Sequence, residues 1–263
     1  MKYEIIDTLK LEVTRNCNLE CMHCFRGDKQ EKNMSLETID KTFKNISSIA
    51  ILEVTGGEPF MALEQLNRIY ENIKNANVEV TVLCIESNCT LVNDEIINVL
   101  YKLSTVVGKL CIKTDFNAFK MMDLEEKGLK DTFMHNMSVL SKYLIFKDTP
   151  IDKIYKVGRA KNLTDVDINA ANRYLEGKDN YVLSDESMYY EGWGIYRSPV
   201  AKHFTIFRTV YITVDGYLCD FTPNYHTYEE EDSMLVHNIN DSYDLYSAIE
   251  EYRQIPKSKS LKK

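Results

Sequence analysis

Apolar residues recur along the chain with two periods, one of two residues and one near 3.6, and they alternate through the first two thirds. Lys10-Leu11-Glu12-Val13 alternates polar and apolar, which predicts a short strand ending just before a group of cysteines. Ser35 then offers an N-cap to a helix with Ile39, Phe43 and Ile46 at helical spacing. Ile49–Val54 is a strand stopped by the pair Gly56-Gly57, and Leu63–Ile73 a helix with Leu66, Ile69 and Ile73 on one face. Val78–Ile85 reads as a strand, Asn93–Leu103 as a helix and Leu110–Ile112 as a strand. A helix over Asp131–Tyr143 and a strand over Ile154–Val157 follow.

This rhythm predicts an α/β fold with a parallel sheet and helical crossovers. Five or so units in about 200 residues fit a partial parallel barrel of (β/α)6 type better than a full eight-unit one. The last third differs. Residues 174–204 are rich in Tyr, Gly and Ser without a period and read as loop and short elements. Thr209–Val214 and Tyr217–Cys219 then flank Asp215-Gly216, a two-residue hairpin signal. Glu229–Asp232 reads as a solvated acidic turn, Tyr243–Tyr252 as a closing helix, and Lys257–Lys263 as a frayed basic tail.

Composition narrows the setting. The 263 residues are 44% hydrophobic and 27% charged, ordinary globular proportions that exclude wholesale disorder. Forty acidic against 32 basic residues give a net charge of −8, the wrong sign for nucleic-acid or anionic-membrane adhesion. No apolar run reaches the ~18 residues that span a bilayer. Met1-Lys2-Tyr3-Glu4-Ile5 lacks a signal peptide's apolar core, so a cytoplasmic location is expected.

Seven cysteines are present, three of them together in Cys17-Asn-Leu-Glu-Cys21-Met-His-Cys24. A disulfide framework pairs an even set in a short secreted chain, so the cluster points to metal ligation or redox chemistry. A structural zinc site takes four ligands, commonly as two pairs, and no second CxxC or HxxxH completes one here. His23 is a conceivable fourth ligand, but side chains of adjacent residues in an extended loop diverge. Three thiolates on one loop suit a [4Fe–4S] cubane whose fourth iron stays open to an external ligand. Gly56-Gly57-Glu58-Pro59 lets the backbone turn sharply and approach a ligand closely after a strand, and sets a carboxylate at that strand's end.

CxxxCxxC at the end of a first barrel strand, followed in order by Gly-Gly-Glu-Pro, resembles the radical SAM superfamily. CNLECMHC with Phe25 next resembles its SPASM and Twitch subgroup. Ile85-Glu86-Ser87-Asn88 stands where relatives often read Thr-Asn-Gly, with Cys89 in the glycine's place and best read as a buried thiol. Lys113-Thr114-Asp115 resembles the family's Ser-Leu-Asp, and Gly158-Arg159-Ala160 its late Gly-Arg-Ala. Arg159 is read either as a cofactor or substrate contact or as a surface residue.

The resemblance implies one [4Fe–4S] cluster on Cys17, Cys21 and Cys24, and S-adenosylmethionine (SAM) at its open iron. Gly56, Gly57, Glu58 and Pro59 would orient the methionyl end. His23 and Asn88 would line the nucleoside end, with Phe25, Glu86, Thr114, Asp115 and Arg159 as further cofactor-binding residues. His23 stands where relatives place an aromatic ring, so stacking is expected rather than ligation. Reductive cleavage of SAM would yield a 5′-deoxyadenosyl radical that takes hydrogen from a substrate, with a flavodoxin- or ferredoxin-type protein as low-potential donor.

The resemblance covers residues 8–160 and, more weakly, the chain from Val210, where Asp215–Cys219 and Leu235–Ile239 resemble a SPASM or Twitch segment. Cys219 alone remains there of that segment's cysteines (His226 is its only conceivable partner), so the extension is expected to keep the shape without the metal, as lid or substrate cradle. The predicted division is a barrel over 1–205, an extension over 206–256 and a basic tail over 257–263. Tyr189–Gly194 reads as a packed connection or a substrate loop. The expected substrate is a peptide or protein side chain. Only 16 residues precede Cys17, so a fused leader-binding domain is not expected. A small-molecule or nucleotide substrate, a glycyl-radical activase and a non-catalytic cluster protein are the alternatives.

Overall fold

In a computed structural model of the chain, the described residues are 3–146, 153–174, 181–184, 204–219 and 237–254. Strands and helices alternate as β1 (Tyr3–Thr14), α1 (Leu36–Phe43), β2 (Ile46–Gly56), α2 (Leu63–Ala76), β3 (Glu79–Glu86), α3 (Asp94–Ser104) and β4 (Lys109–Thr114). Two helices, α4 (Ala118–Glu126) and α5 (Lys130–Val139), precede β5 (Leu144–Phe146). Then come β6 (Lys153–Tyr155), α6 (Asp165–Tyr174), β7 (Val182–Ser184), β8 (Phe204–Ile212), β9 (Leu218–Cys219) and α7 (Leu245–Gln254). The main sheet has seven strands in the order β5-β4-β3-β2-β1-β8-β9, and all but β9 are parallel to their neighbours. This is the expected partial-barrel pattern of strands wound outward from β1 through helical crossovers. No described helix is long and apolar enough to cross a membrane.

Local chemistry fixes the helix starts. The Ser35 hydroxyl accepts from the Thr38 amide at 3.1 Å, and the Asn93 side chain from the Ile96 amide at 2.9 Å. α1 ends at Phe43, and Asn45 turns at φ 61°, so Ile46 opens β2 instead of continuing the helix. β1 begins at Tyr3 and is far longer than the alternation at Lys10–Val13 predicts, because polar Asp7 and Thr8 interrupt the apolar pattern in its first half. The helix expected over Asp131–Tyr143 spans Lys130–Val139.

Two differences bear on the site. The strand expected at Ile154–Val157 is β6, which pairs with β7 in a separate two-stranded sheet. The expected hairpin forms, but its first strand, β8, also runs beside β1 from Tyr3↔Phe204 to Leu11↔Ile212. Its turn is wider than two residues: the Gly216 amide donates to Thr213 O at 2.8 Å and the Thr213 amide to Tyr217 O at 3.0 Å, with Gly216 at φ 87°. That is a three-residue loop closed by a left-handed glycine. Tyr189–Gly194, His226, Glu229–Asp232, Leu235-Val236 and Lys257–Lys263 lie outside the described residues, as does most of 174–204.

Candidate active site

The cysteine loop leaves the C-terminal end of β1 and is sewn to the ends of the neighbouring strands. Gly57 N donates to Thr14 O at 2.7 Å, and Glu58 N to Asn16 O at 2.8 Å. The two glycines are required by this seam. A Cβ on Gly56, at φ 136°, would stand 2.0 Å from Thr14 O, and one on Gly57 would stand 2.1 Å from Asn16 O. The close approach expected from their sequence is to the backbone leading into Cys17.

Glu58 is fully buried and its carboxylate joins β2's turn to β3's. It accepts from the Phe60 amide at 3.0 Å, the Ser87 hydroxyl at 2.8 Å and the Asn88 amide at 2.7 Å. Burial pushes its carboxyl up, and these donors oppose that rise. Pro59 opens a 3-10 turn over Pro59–Met61. The Asn88 amide nitrogen reaches Asn18 Oδ1 at 2.9 Å and lies 3.9 Å from Cys17 Sγ, and its carbonyl accepts twice from Thr90. Glu86 accepts from the Thr55 hydroxyl at 2.8 Å. Cys89 is buried at φ 60°.

Gly158-Arg159-Ala160 closes on the same loop. Arg159 Nε donates to Cys21 O at 3.0 Å and Arg159 N to Cys24 O at 2.9 Å, while a Cβ on Gly158 would stand 2.3 Å from Phe25 O. Arg159 thus holds the carbonyls of two of the three cysteines. Phe25 lies under the Arg26 guanidinium at 5.2 Å, and Arg26 donates to the Tyr211 hydroxyl on β8 at 3.0 Å. The buried pair Glu12–Arg15, with Glu12 also accepting from the Val214 amide at 2.9 Å, and Lys32–Asp215 at 2.6 Å join the loop to the hairpin turn.

His23 stacks on Phe119 with centroids 5.5 Å apart and planes at 29°. Its Nε2 lies 3.3 Å from Asn117 Nδ2, which also donates to Asp115 Oδ2 at 2.7 Å. Asp115 Oδ1 takes Lys120 Nζ at 3.2 Å, and Lys120 donates to the Thr114 hydroxyl at 2.9 Å. Burial lowers His23 below the ordinary imidazole range. Sequence reasoning missed Asn117, Phe119, Lys120 and Asp123, all supplied by α4 or its cap. Asn117 is the N-cap, accepting from the Lys120 amide at 2.9 Å. That Asx signature two residues after Asp115 is the signal that could have found them.

The three cysteines carry no disulfide, and each is half-buried. Burial raises the thiols of Cys17 and Cys21, and the Asp123 carboxylate against Cys21 raises it further. Among the described residues no three or more His, Cys, Asp or Glu side chains are grouped to hold a single metal ion. A cluster makes a different demand, since three of its four irons each take one thiolate.

Residues 11–108 match the protein-family model "Radical SAM superfamily". Over that stretch the chain is similar to radical SAM proteins. Over 114 residues the chain is 29% identical to an uncharacterized protein of Methanocaldococcus jannaschii, covering 40% of this chain and 39% of that one. A further alignment gives 34% identity over 100 residues to the GTP 3′,8-cyclase of Clostridium perfringens, covering 35% of this chain and 30% of the relative. The chain therefore spans well under half the length of these relatives. In fold, it superposes on a solved structure described as native anSMEcpe with bound AdoMet and Cp18Cys peptide. That superposition has a TM-score of 0.54 at 13% identity and covers 94% of this chain and 80% of that one.

The radical SAM superfamily's cofactors are a [4Fe–4S] cluster and SAM. The donor set fits: three free thiols on one braced loop at the strand ends, in surroundings whose burial favours neutral thiols unless a cation offsets it. Cluster iron would supply that cation.

Proposed function

We propose that this chain is a radical SAM enzyme that holds one [4Fe–4S] cluster through Cys17, Cys21 and Cys24 and acts on a peptide or protein side chain. One observation carries the reading. The cysteine loop, the Gly56–Pro59 turn, the Glu86–Asn88 turn and Gly158–Ala160 are hydrogen-bonded or packed into one unit at the strand ends. When bound, reduced cluster and SAM supply a 5′-deoxyadenosyl radical that removes a hydrogen atom from the substrate.

The chain's own residues bind and orient. Gly56, Gly57 and Pro59 shape the turn that faces the methionyl end, and Glu58 acts by fixing that turn against Asn88. His23, braced by Asn117 and Phe119, lines the nucleoside end with Phe25, Glu86 and Asn88. Thr114 and Asp115, pinned by Lys120, stand beside it, and Arg159 keeps the cysteine loop in shape. The hairpin, through its turn at Val214 and Asp215 and through Tyr211 of β8, braces that loop from the other side at Glu12, Arg26 and Lys32, which favours a rigid, water-excluding site.

We divide the chain into a barrel over 1–205, a SPASM/Twitch-like extension over 206–256 and a basic tail over 257–263. A cytoplasmic setting and a flavodoxin- or ferredoxin-type electron donor complete the reading. The fold similarity to anSMEcpe, which extends over most of the chain, supports the peptide substrate. A small-molecule or nucleotide substrate is the second reading, favoured by the alignment to GTP 3′,8-cyclase. Anaerobic reconstitution tests the core of the proposal. The wild type is expected to show broad visible iron–sulfur absorption and to release 5′-deoxyadenosine from SAM under reduction. Cys21→Ala is expected to lose both, and unchanged iron content in that variant would contradict the ligand assignment.

A further inference from the structure

The strands that end at the cysteine loop carry a charged row on one face. Lys10 of β1, Glu53 of β2, Cys84 of β3 and Cys111 of β4 are direct cross-strand neighbours. Toward the loop, Glu12 neighbours Thr55, and Glu86 neighbours Lys113. Away from it stand Thr8, Ile51, Val82 and Lys109. Because side chains alternate along a strand, all of these share one face.

Two ammonium groups converge on a single carboxylate there. Lys10 Nζ lies 2.6 Å from Glu53 Oε2, and Lys113 reaches across β3 to Glu53 Oε1. An ammonium has three donors, and neither lysine has another hydrogen-bond or ion-pair partner among the described residues. The side chains are 16% and 27% exposed, and Ile51 in the next row is 37% exposed, so this part of the face is open. The other carboxylates on the face are engaged nearer the loop: Glu12 with Arg15 and the Val214 amide, Glu86 with Thr55. Glu86 still acts on Lys113 through its charge. Burying unsatisfied ammonium donors is costly, so an open face that keeps two of them is suited to receive an acceptor.

We propose that Lys10 and Lys113 form an anion subsite on the inner face of the sheet, which binds a carboxylate or phosphate group of the substrate below the cysteine loop. The placement of the substrate on this face rests on the radical SAM reading; the anion binding itself does not. Glu53 orients the two ammonium groups and also competes with the incoming anion.

The test uses the full chain and two probes, succinate and inorganic phosphate, with binding read by ligand-observed NMR. At least one probe is expected to bind the wild type, and the better one tells a carboxylate substrate from a phosphorylated one. Lys113→Gln and Lys10→Gln are each expected to weaken binding about tenfold, while Glu53→Gln strengthens it by removing the competitor. Lys113→Arg is expected to keep binding. The opposite signs separate a subsite from general damage to the fold. Failure of both probes to bind the wild type, or equal binding by the wild type and both lysine variants, overturns the proposal. Iron content of the same reconstituted samples is expected to stay at the wild-type level. Loss of iron in the wild type would instead count against the cluster reading.

Discussion

Leu9, Leu52, Leu83 and Leu110 stand in one cross-strand row, and Lys10, Glu53, Cys84 and Cys111 stand in the next, on the opposite face of the same four strands. The leucine row is almost wholly buried, as is the row Leu11, Val54, Ile85 and Ile112, and both merge with Phe43, Leu66 and Leu100 of the covering helices. Burying such a side chain contributes about 1.5–3 kcal/mol. The other face keeps ion pairs and half-open lysines where apolar residues would have packed. Stability is therefore assigned to the helix-covered face, and polar chemistry to the face below the cysteine loop.

The sharpest test substitutes neighbouring rows. Leu52→Ala leaves a cavity in the leucine row and is expected to cost about 3 kcal/mol in urea unfolding. Lys113→Gln, with a partly exposed side chain, is expected to cost less than about 1 kcal/mol. Equal losses would break the division between the faces.

The next effect falls where the two regions meet. Gly57→Ala pushes a Cβ into the Asn16 carbonyl, and backbone cannot yield there without moving the segment that leads to Cys17. About 2–3 kcal/mol of stability should be lost, together with most of the iron taken up on reconstitution. Gly128→Ala is the control, since its Cβ meets nothing within 4 Å and only its φ of 64° is strained. It should cost about 1 kcal/mol and leave iron content unchanged. Iron uptake by Gly57→Ala at the wild-type level would show that the seam does not position the cysteines.

The same contrast explains what could be read from the sequence. Elements with one clean apolar stripe, such as α1, α2 and α3, were legible, α1 with its Ser35 cap, because burial on one side imposes the helical period. α4 was not. It buries Lys120 and Asp123 together with Phe119 and Leu124, so polar side chains interrupt the apolar period. α6 buries only Ile168 and Ala171 within a polar decapeptide. The site's outline was legible because cysteine spacing and a glycine pair are local signals. Most partners of Glu58, Arg159 and His23 come from segments far away in sequence, the turn after β3, the cysteine loop and α4, and no local pattern encodes them.

Cys89 sharpens that point at smaller scale. Its φ of 60° is one that glycine takes without strain, and its buried side chain offsets part of the strain on cysteine. Cys89→Gly exchanges about 1 kcal/mol of strain relief for a similar loss of burial, so its urea midpoint should stay close to the wild type's. Cys89→Val, β-branched at the same φ, should fall clearly below it.

The smallest expected effect lies among the helices of the covered face, at their solvent edge. Arg68 of α2 grips Asp40 of α1 with two hydrogen bonds, of 2.7 and 2.6 Å, and Asn72 adds a third at 2.8 Å. Arg68 first, and Asn72 with it, hold the Asp40 carboxyl below its ordinary value. A depressed carboxyl gives stability that is present above its unfolded pKa, near 3.9, and is lost as pH falls through the folded value. Both side chains are 38% exposed, so screening keeps the contribution under about 1 kcal/mol. Arg68→Met should therefore unfold slightly earlier than the wild type at pH 6, and the gap should close as pH falls below the ordinary carboxylate range. A gap that persists in acid would mean that Arg68 contributes through its aliphatic packing between α1 and α2, and that the covered face reaches further toward solvent than its apolar rows.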